Sequence, residues 1–118
     1  MSKYSDRAIE LFMEGKNCSQ AVFAAFAPDL GLSEEMALSV SIGLGGGVGR
    51  LREVCGAVSG SAMVVGLKHP ELEKAEVYKL VNLIVDEFKK TNPSIVCKEL
   101  LGLSQPEKSS VPEARTAE

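Results

Sequence analysis

The segment from Glu71 to Lys90 most constrains the fold, because its apolar side chains recur with the period of an α-helix. These residues are Val77, Leu80, Val81, Ile84 and Phe88. The spacing places them on one face of a helix, and Lys89 and Lys90 suit its last turn, where positive charge is favourable. Asn92 and Pro93 end the segment. It therefore predicts one long amphipathic helix.

Five further segments carry start or stop signals of helices. They are residues 2–14, 18–26, a segment that begins after Ser33, residues 51–65 ended by Gly66, and residues 95–101 ended by Gly102. The third also alternates apolar and polar residues up to Leu44, as a strand does. We favour a helix there, because Ser33 and the two glutamates after it form a strong start signal and no partner strand is evident.

The composition is that of a single globular domain, with 118 residues of which 45% are hydrophobic and 25% charged. After Leu103 the chain has two prolines and only one large aliphatic residue, which is too little apolar surface to offset the entropy of ordering. We predict an all-α, compact single-domain bundle of five or six helices over residues 1–103 and a flexible tail over 104–118.

Charge and hydropathy exclude several classes of partner. A net charge of −3 gives no electrostatic footprint for nucleic acid or for an anionic membrane. We find no apolar signal region after Met1 and no stretch of about 18 apolar residues that would insert in a membrane. The chain is therefore expected in the cytoplasm, where thiols are kept reduced and cysteines seldom form structural disulfides.

Three cysteines are the residues best suited to chemistry. Cys18 follows the predicted cap Asn17, Cys97 lies three residues after Ser94, and Cys55 begins the run Cys-Gly-Ala-Val-Ser-Gly. Each falls in or near the first turn of a predicted helix, where partial positive charge stabilises a thiolate. If the helix ends converge, the three sulfurs share one site. The alternative is that they fill core positions.

Glycines beside Cys55 permit a close approach. Gly56 and Gly60 lie four residues apart, and each costs a helix roughly 0.8–1.0 kcal/mol relative to alanine. One interpretation is a nucleophilic Cys55 whose pKa is lowered by Arg50 and Arg52. The other is a tight helix crossing with a buried, inert cysteine, and the run alone favours this second interpretation.

The glycine run before Arg50 matches no nucleotide-binding motif. It contains Gly45, Gly46, Gly47 and Gly49, but neither G-x-G-x-x-G nor a P-loop fits. Anion binding at a helix start is a weaker interpretation than a loop that turns closely over the cysteine region. His69, the single histidine, is expected in a solvated loop, and nothing in the sequence brings it to Cys55.

Four stretches together resemble the C_GCAxxG_C_C family of redox-active proteins. They are 17–22 (Asn-Cys-Ser-Gln-Ala-Val), 45–50 (Gly-Gly-Gly-Val-Gly-Arg), 55–60 (Cys-Gly-Ala-Val-Ser-Gly) and 97–102 (Cys-Lys-Glu-Leu-Leu-Gly). The resemblance covers residues 5–103, and Cys18, Cys55 and Cys97 match the first three of the family's four cysteines. The fourth has no counterpart beyond Cys97. The resemblance implies a redox role.

Three functions are consistent with these observations. The first is a thiol redox protein in which Cys55 reacts and Cys18 or Cys97 resolves, with a partner protein or a small thiol as its redox partner. The second is a module that binds a metal or an iron–sulfur cluster through the same three cysteines. The third is a non-catalytic interaction domain in which the Gly56/Gly60 stripe marks a helix crossing or the seam of a homodimer.

Overall fold

The computed structural model describes residues 2–101, which form six α-helices and two 3₁₀ helices. The α-helices are α1 (Lys3–Met13), α2 (Cys18–Phe26), α3 (Glu34–Ser41), α4 (Gly56–Lys68), α5 (Lys74–Thr91) and α6 (Cys97–Leu100). The 3₁₀ helices are Ala27–Leu30 and Ile42–Leu44. The all-α prediction is confirmed, including the helix after Ser33. The predicted tail at 104–118 and the helix stop at Gly102 lie outside the described residues.

The second helix, α2, is the centre of the fold. It packs against α1, α3 and α4, and its residues Ala21, Phe23 and Ala24 are buried. Small side chains on α2 let its neighbours approach closely, so one short helix supports three others. Leu11 of α1 and Ala37 of α3 complete the buried cluster.

Two side-chain contacts hold the amino-terminal helix to this centre. Tyr4 stacks on Phe26 with 4.5 Å between ring centroids. Arg7 donates two hydrogen bonds to the carboxylate of Glu34, at 2.8 and 3.0 Å. This fork-shaped pairing raises the pKa of Arg7 and lowers the pKa of Glu34. The start of α3 is thereby fixed against α1.

Helix α5 packs mainly on α4 and contains no fully buried residue. It runs from Lys74 to Thr91, so the predicted start at Glu71 is three residues early. Residues 69–73 form turns instead of a first helical turn. None of the described helices is both long enough and apolar enough to cross a lipid bilayer.

The predicted helix over residues 51–65 is wrong at both ends. In the structure α4 begins at Gly56 and passes through Gly66 to Lys68. The start is late because Arg50 and Arg52 have positive φ angles of 63° and 62°, which a right-handed helix excludes. Val54 instead pairs with Val96 in an isolated antiparallel bridge. The last helix is also shorter than predicted and begins at Cys97.

Candidate functional site

Cys18 is the first residue of α2, and polar neighbours define the start of that helix. The Asn17 side chain accepts a hydrogen bond from Gln20 N, and the Gln20 side chain accepts one from Asn17 N, which together form a capping box. The fully buried Ser19 donates to Ser41 O at 2.8 Å. The half-buried Cys18 thiol is therefore held at the positive end of a well-capped helix.

Cys55 is the N-cap residue of α4, and the glycines after it bring α4 against α2. A Cβ atom on Gly56 would lie 2.8 Å from Ser19 N and 3.2 Å from Cys18 Cβ. A Cβ atom on Gly60 would lie 3.0 Å from Ser19 O. The glycine stripe is therefore a helix crossing within this chain. It sets Cys18 beside the peptide unit that follows Cys55.

Cys97 reaches the same region through the antiparallel bridge between Val54 and Val96. Cys55 N donates to Ile95 O at 2.7 Å, and Cys97 N donates to Glu53 O. Cys55 and Cys97 each follow a bridged valine by one residue, so the bridge brings together the two segments that carry them.

The short helix α6 does not supply the positive potential that first-turn placement predicts for Cys97. It has four residues, and Ser94 lies upstream of it, where its hydroxyl accepts from Val96 N. The first two amides of α6 are already occupied, since Cys97 N donates to Glu53 O and Lys98 N donates to Arg52 O. Any stabilisation of a Cys97 thiolate must therefore come from a side chain.

Arg52 is such a side chain, because its Nη1 lies 3.7 Å from Cys97 Sγ. The residue is 3% exposed. A guanidinium in this position can donate a charge-assisted hydrogen bond to the sulfur. The sequence suggested Arg52 as a cation beside Cys55, whereas its sulfur contact in the structure is with Cys97.

A left-handed turn delivers Arg52 to this position. Gly46, Gly47, Val48, Gly49 and Arg50 all have positive φ, between 56° and 76°. The turn folds back on the following segment, with Arg52 N donating to Gly46 O and Glu53 N to Gly47 O, both at 3.0 Å. A Cβ atom on Gly47 would lie 2.5 Å from Glu53 N, so this position requires glycine.

Gly45 and Arg50 lie beside the cap residue of α2. A Cβ atom on Gly45 would overlap the Asn17 side chain. Arg50 lines an open cavity beside Gly45 and Asn17. The two arginines of the loop therefore face different surroundings, although they are only two residues apart.

Comparison with known proteins agrees with the cysteine pattern. The family model described as "Putative redox-active protein (C_GCAxxG_C_C)" matches residues 16–117. This chain belongs to the C_GCAxxG_C_C family. No curated protein and no solved structure matches it significantly.

In this C_GCAxxG_C_C protein all three cysteines are half-buried and none is in a disulfide. The Val54–Val96 bridge brings the segments that carry Cys55 and Cys97 together.

The metal-binding alternative finds no donor cluster among the described residues of this C_GCAxxG_C_C protein. Within residues 2–101, no three His, Cys, Asp or Glu side chains are grouped so as to hold a metal ion. His69 caps the far end of α4, a helix of 13 residues that separates it from Cys55 by about 20 Å. A Cys55–His69 pair is therefore excluded within one chain.

Sequence analysis missed the Val54–Val96 bridge, which pairs the segments that carry Cys55 and Cys97. The only signal for it is that β-branched valines precede both Cys55 and Cys97. A two-residue pattern of this kind is too common to predict a pairing across 42 residues of chain.

Proposed function

We propose that this protein exchanges thiols and disulfides, with Cys55 as the reactive thiol and Cys97 as its resolving partner. The antiparallel bridge carries this proposal, because it pairs the two segments that carry these cysteines, one residue before each of them. The family's redox description supports it. A reductant of this kind would operate in a reducing compartment such as the cytoplasm.

The reaction transfers two electrons from the chain to a disulfide substrate, on a partner protein or a small molecule. The Cys55 thiolate attacks one substrate sulfur, which breaks the substrate S–S bond, forms a mixed disulfide and releases one thiol. Cys97 then attacks Cys55 Sγ and expels the second substrate thiol. The substrate is reduced to two thiols, and Cys55 and Cys97 are oxidised to one disulfide.

Arg52 assists the second half of this cycle. Its guanidinium donates to Cys97 Sγ and holds that sulfur in position for its attack on the mixed disulfide. In the reverse reaction Cys97 is the leaving group, and the same contact stabilises the departing charge. Buried and held by the turn before it, Arg52 keeps this position without a large entropic cost.

Cys18 is the competing partner for Cys55, because its Cβ atom lies against Gly56. The two pairings predict different cross-linked peptides. Mild oxidation of the native protein by a small disulfide, followed by peptide mass spectrometry, distinguishes them. We expect Cys55 linked to Cys97, with Cys18 left as a thiol.

Single serine variants test the roles of Cys18 and Cys97 in forming the internal disulfide. Cys18→Ser should still form the internal disulfide, whereas Cys97→Ser should stop at a mixed disulfide on Cys55. Retained cross-linking of Cys55 in Cys97→Ser would assign Cys18 as the resolving residue. The absence of any internal disulfide in the wild-type protein would refute the redox proposal as a whole.

A further inference from the structure

The left-handed turn borders a cavity for which the proposed redox cycle has no use. Its volume is about 400 Å³, and it lies between the start of α2 and the glycine loop. The described residues that line it are Gly15, Asn17, Gln20, Ile42, Gly45, Gly49 and Arg50. A volume of this size accommodates a small molecule.

The two side-chain amides that line the cavity each retain an N–H donor. Asn17 Oδ1 accepts from Gln20 N and from Ser19 Oγ, and Gln20 Oε1 accepts from Asn17 N. Each amide nitrogen gives one hydrogen to a backbone carbonyl, of Ile42 and of Leu38 respectively, and retains a second. The capping box thus fixes both side chains and leaves one N–H group on each for a ligand.

Arg50 adds a positive charge that nothing else in the described chain neutralises. Across residues 2–101, no hydrogen bond or ion pair involves its half-buried guanidinium, and no acidic residue is among those that line the cavity. The residue keeps this position although its φ angle of 63° is unfavourable for a side chain other than glycine. A partly desolvated cation beside two amide donors is suited to an oxygen anion.

We propose that this cavity binds the oxoanion group of a small molecule, a carboxylate or a phosphate, between Arg50 and the amides of Asn17 and Gln20. The site lies next to Cys18 in sequence, yet binding needs no thiol chemistry. The proposal of an anion site is therefore independent of the proposed redox cycle.

The test is titration of the reduced full chain with two probes, inorganic phosphate and S-methylglutathione, which has carboxylates but no reactive thiol. Calorimetry gives the affinity, and NMR follows the side-chain NH₂ signals of Asn17 and Gln20. Shifts with phosphate alone identify a free or esterified phosphate as the ligand group, and shifts with S-methylglutathione identify a carboxylate.

Substitutions of Arg50 test whether its positive charge binds the anion. Arg50→Gln should weaken binding at least about tenfold, the usual cost of losing a charged hydrogen-bond donor. Arg50→Gly should weaken it equally while relieving the backbone, so a folding defect cannot explain the loss. Lys79→Gln removes the same charge from the exposed face of α5 and should bind as the wild type does. Unchanged affinity in Arg50→Gln, or no NMR shift with either probe at millimolar concentration, would overturn the proposal.

Discussion

Replacing Gly56 by alanine tests whether the close crossing of α2 and α4 holds the cysteines together. The new Cβ atom would lie 2.8 Å from Ser19 N, a backbone atom that cannot rotate away. It would also lie 3.2 Å from Cys18 Cβ. The start of α4 must therefore move away from α2, and Cys55 must move with it.

The expected cost follows from two opposing terms. Overpacking a tight contact costs about 1–3 kcal/mol. Alanine recovers up to about 1 kcal/mol of helix propensity, and less than that in the first turn. We expect Gly56→Ala to destabilise the fold by about 1–2 kcal/mol, which lowers the melting temperature by roughly 4–16 °C for a domain of this size.

Gly66→Ala is the matched control on the same helix. A Cβ atom at Gly66 meets nothing within 4 Å, so alanine adds helix propensity without a clash. We expect a gain of about 0.5–1 kcal/mol. Urea denaturation followed by circular dichroism gives both free energies of unfolding. If Gly56→Ala is as stable as Gly66→Ala, the close-crossing argument is refuted.

Three further predictions concern the loop, the arginine beside Cys97 and the amino-terminal ion pair. Val48 has a φ angle of 66°, so Val48→Gly should raise the free energy of unfolding by roughly 1 kcal/mol. A lower free energy of unfolding in Val48→Gly, as when a valine side chain is removed from an unstrained position, would refute backbone strain at this residue. Arg52→Met should slow alkylation of Cys97 by iodoacetamide at neutral pH several-fold relative to Cys18 in the same sample, as mass spectrometry of the two peptides would show; an unchanged ratio would remove Arg52 from the mechanism. The hydrogen bond from Arg7 lowers the pKa of Glu34 from its ordinary 4.5, so this pair stabilises the fold fully above that pH and loses its effect as pH falls through the lower folded-state pKa. Glu34→Gln should therefore flatten the acid side of a stability profile measured by urea unfolding, and an identical profile would show that the pair contributes nothing.

Helix boundaries show how far local signals reach. Asn17 with Gln20 and Ser33 with its two glutamates begin α2 and α3 where the sequence predicts, because a cap acts through atoms within a few residues. The start of α4 was predicted five residues early. Leu51 is compatible with a helix by itself, but its neighbours have left-handed φ angles that only the folded loop maintains.

The candidate site likewise combines residues that the sequence singles out with contacts that it does not predict. The sequence singled out Cys18, Cys55, Cys97 and the glycines at 56 and 60 as residues of interest. It gave no means of knowing that Gly56 lies against Cys18 or that Arg52 turns toward Cys97. Such contacts join residues about 40 positions apart, and no local preference encodes a distance of that kind.

The sequence by itself determined the helical class, the starts of α1, α2 and α3, and the family, because periodicity, capping and motif spacing are written in neighbouring residues. Tertiary structure alone decided which of the segments that carry the cysteines pack together. The crossing of α2 on the α4 glycines and the bridge from Val54 to Val96 are both long-range packing events. Their geometry depends on how small side chains fill the space between helices, and that is a property of the whole fold.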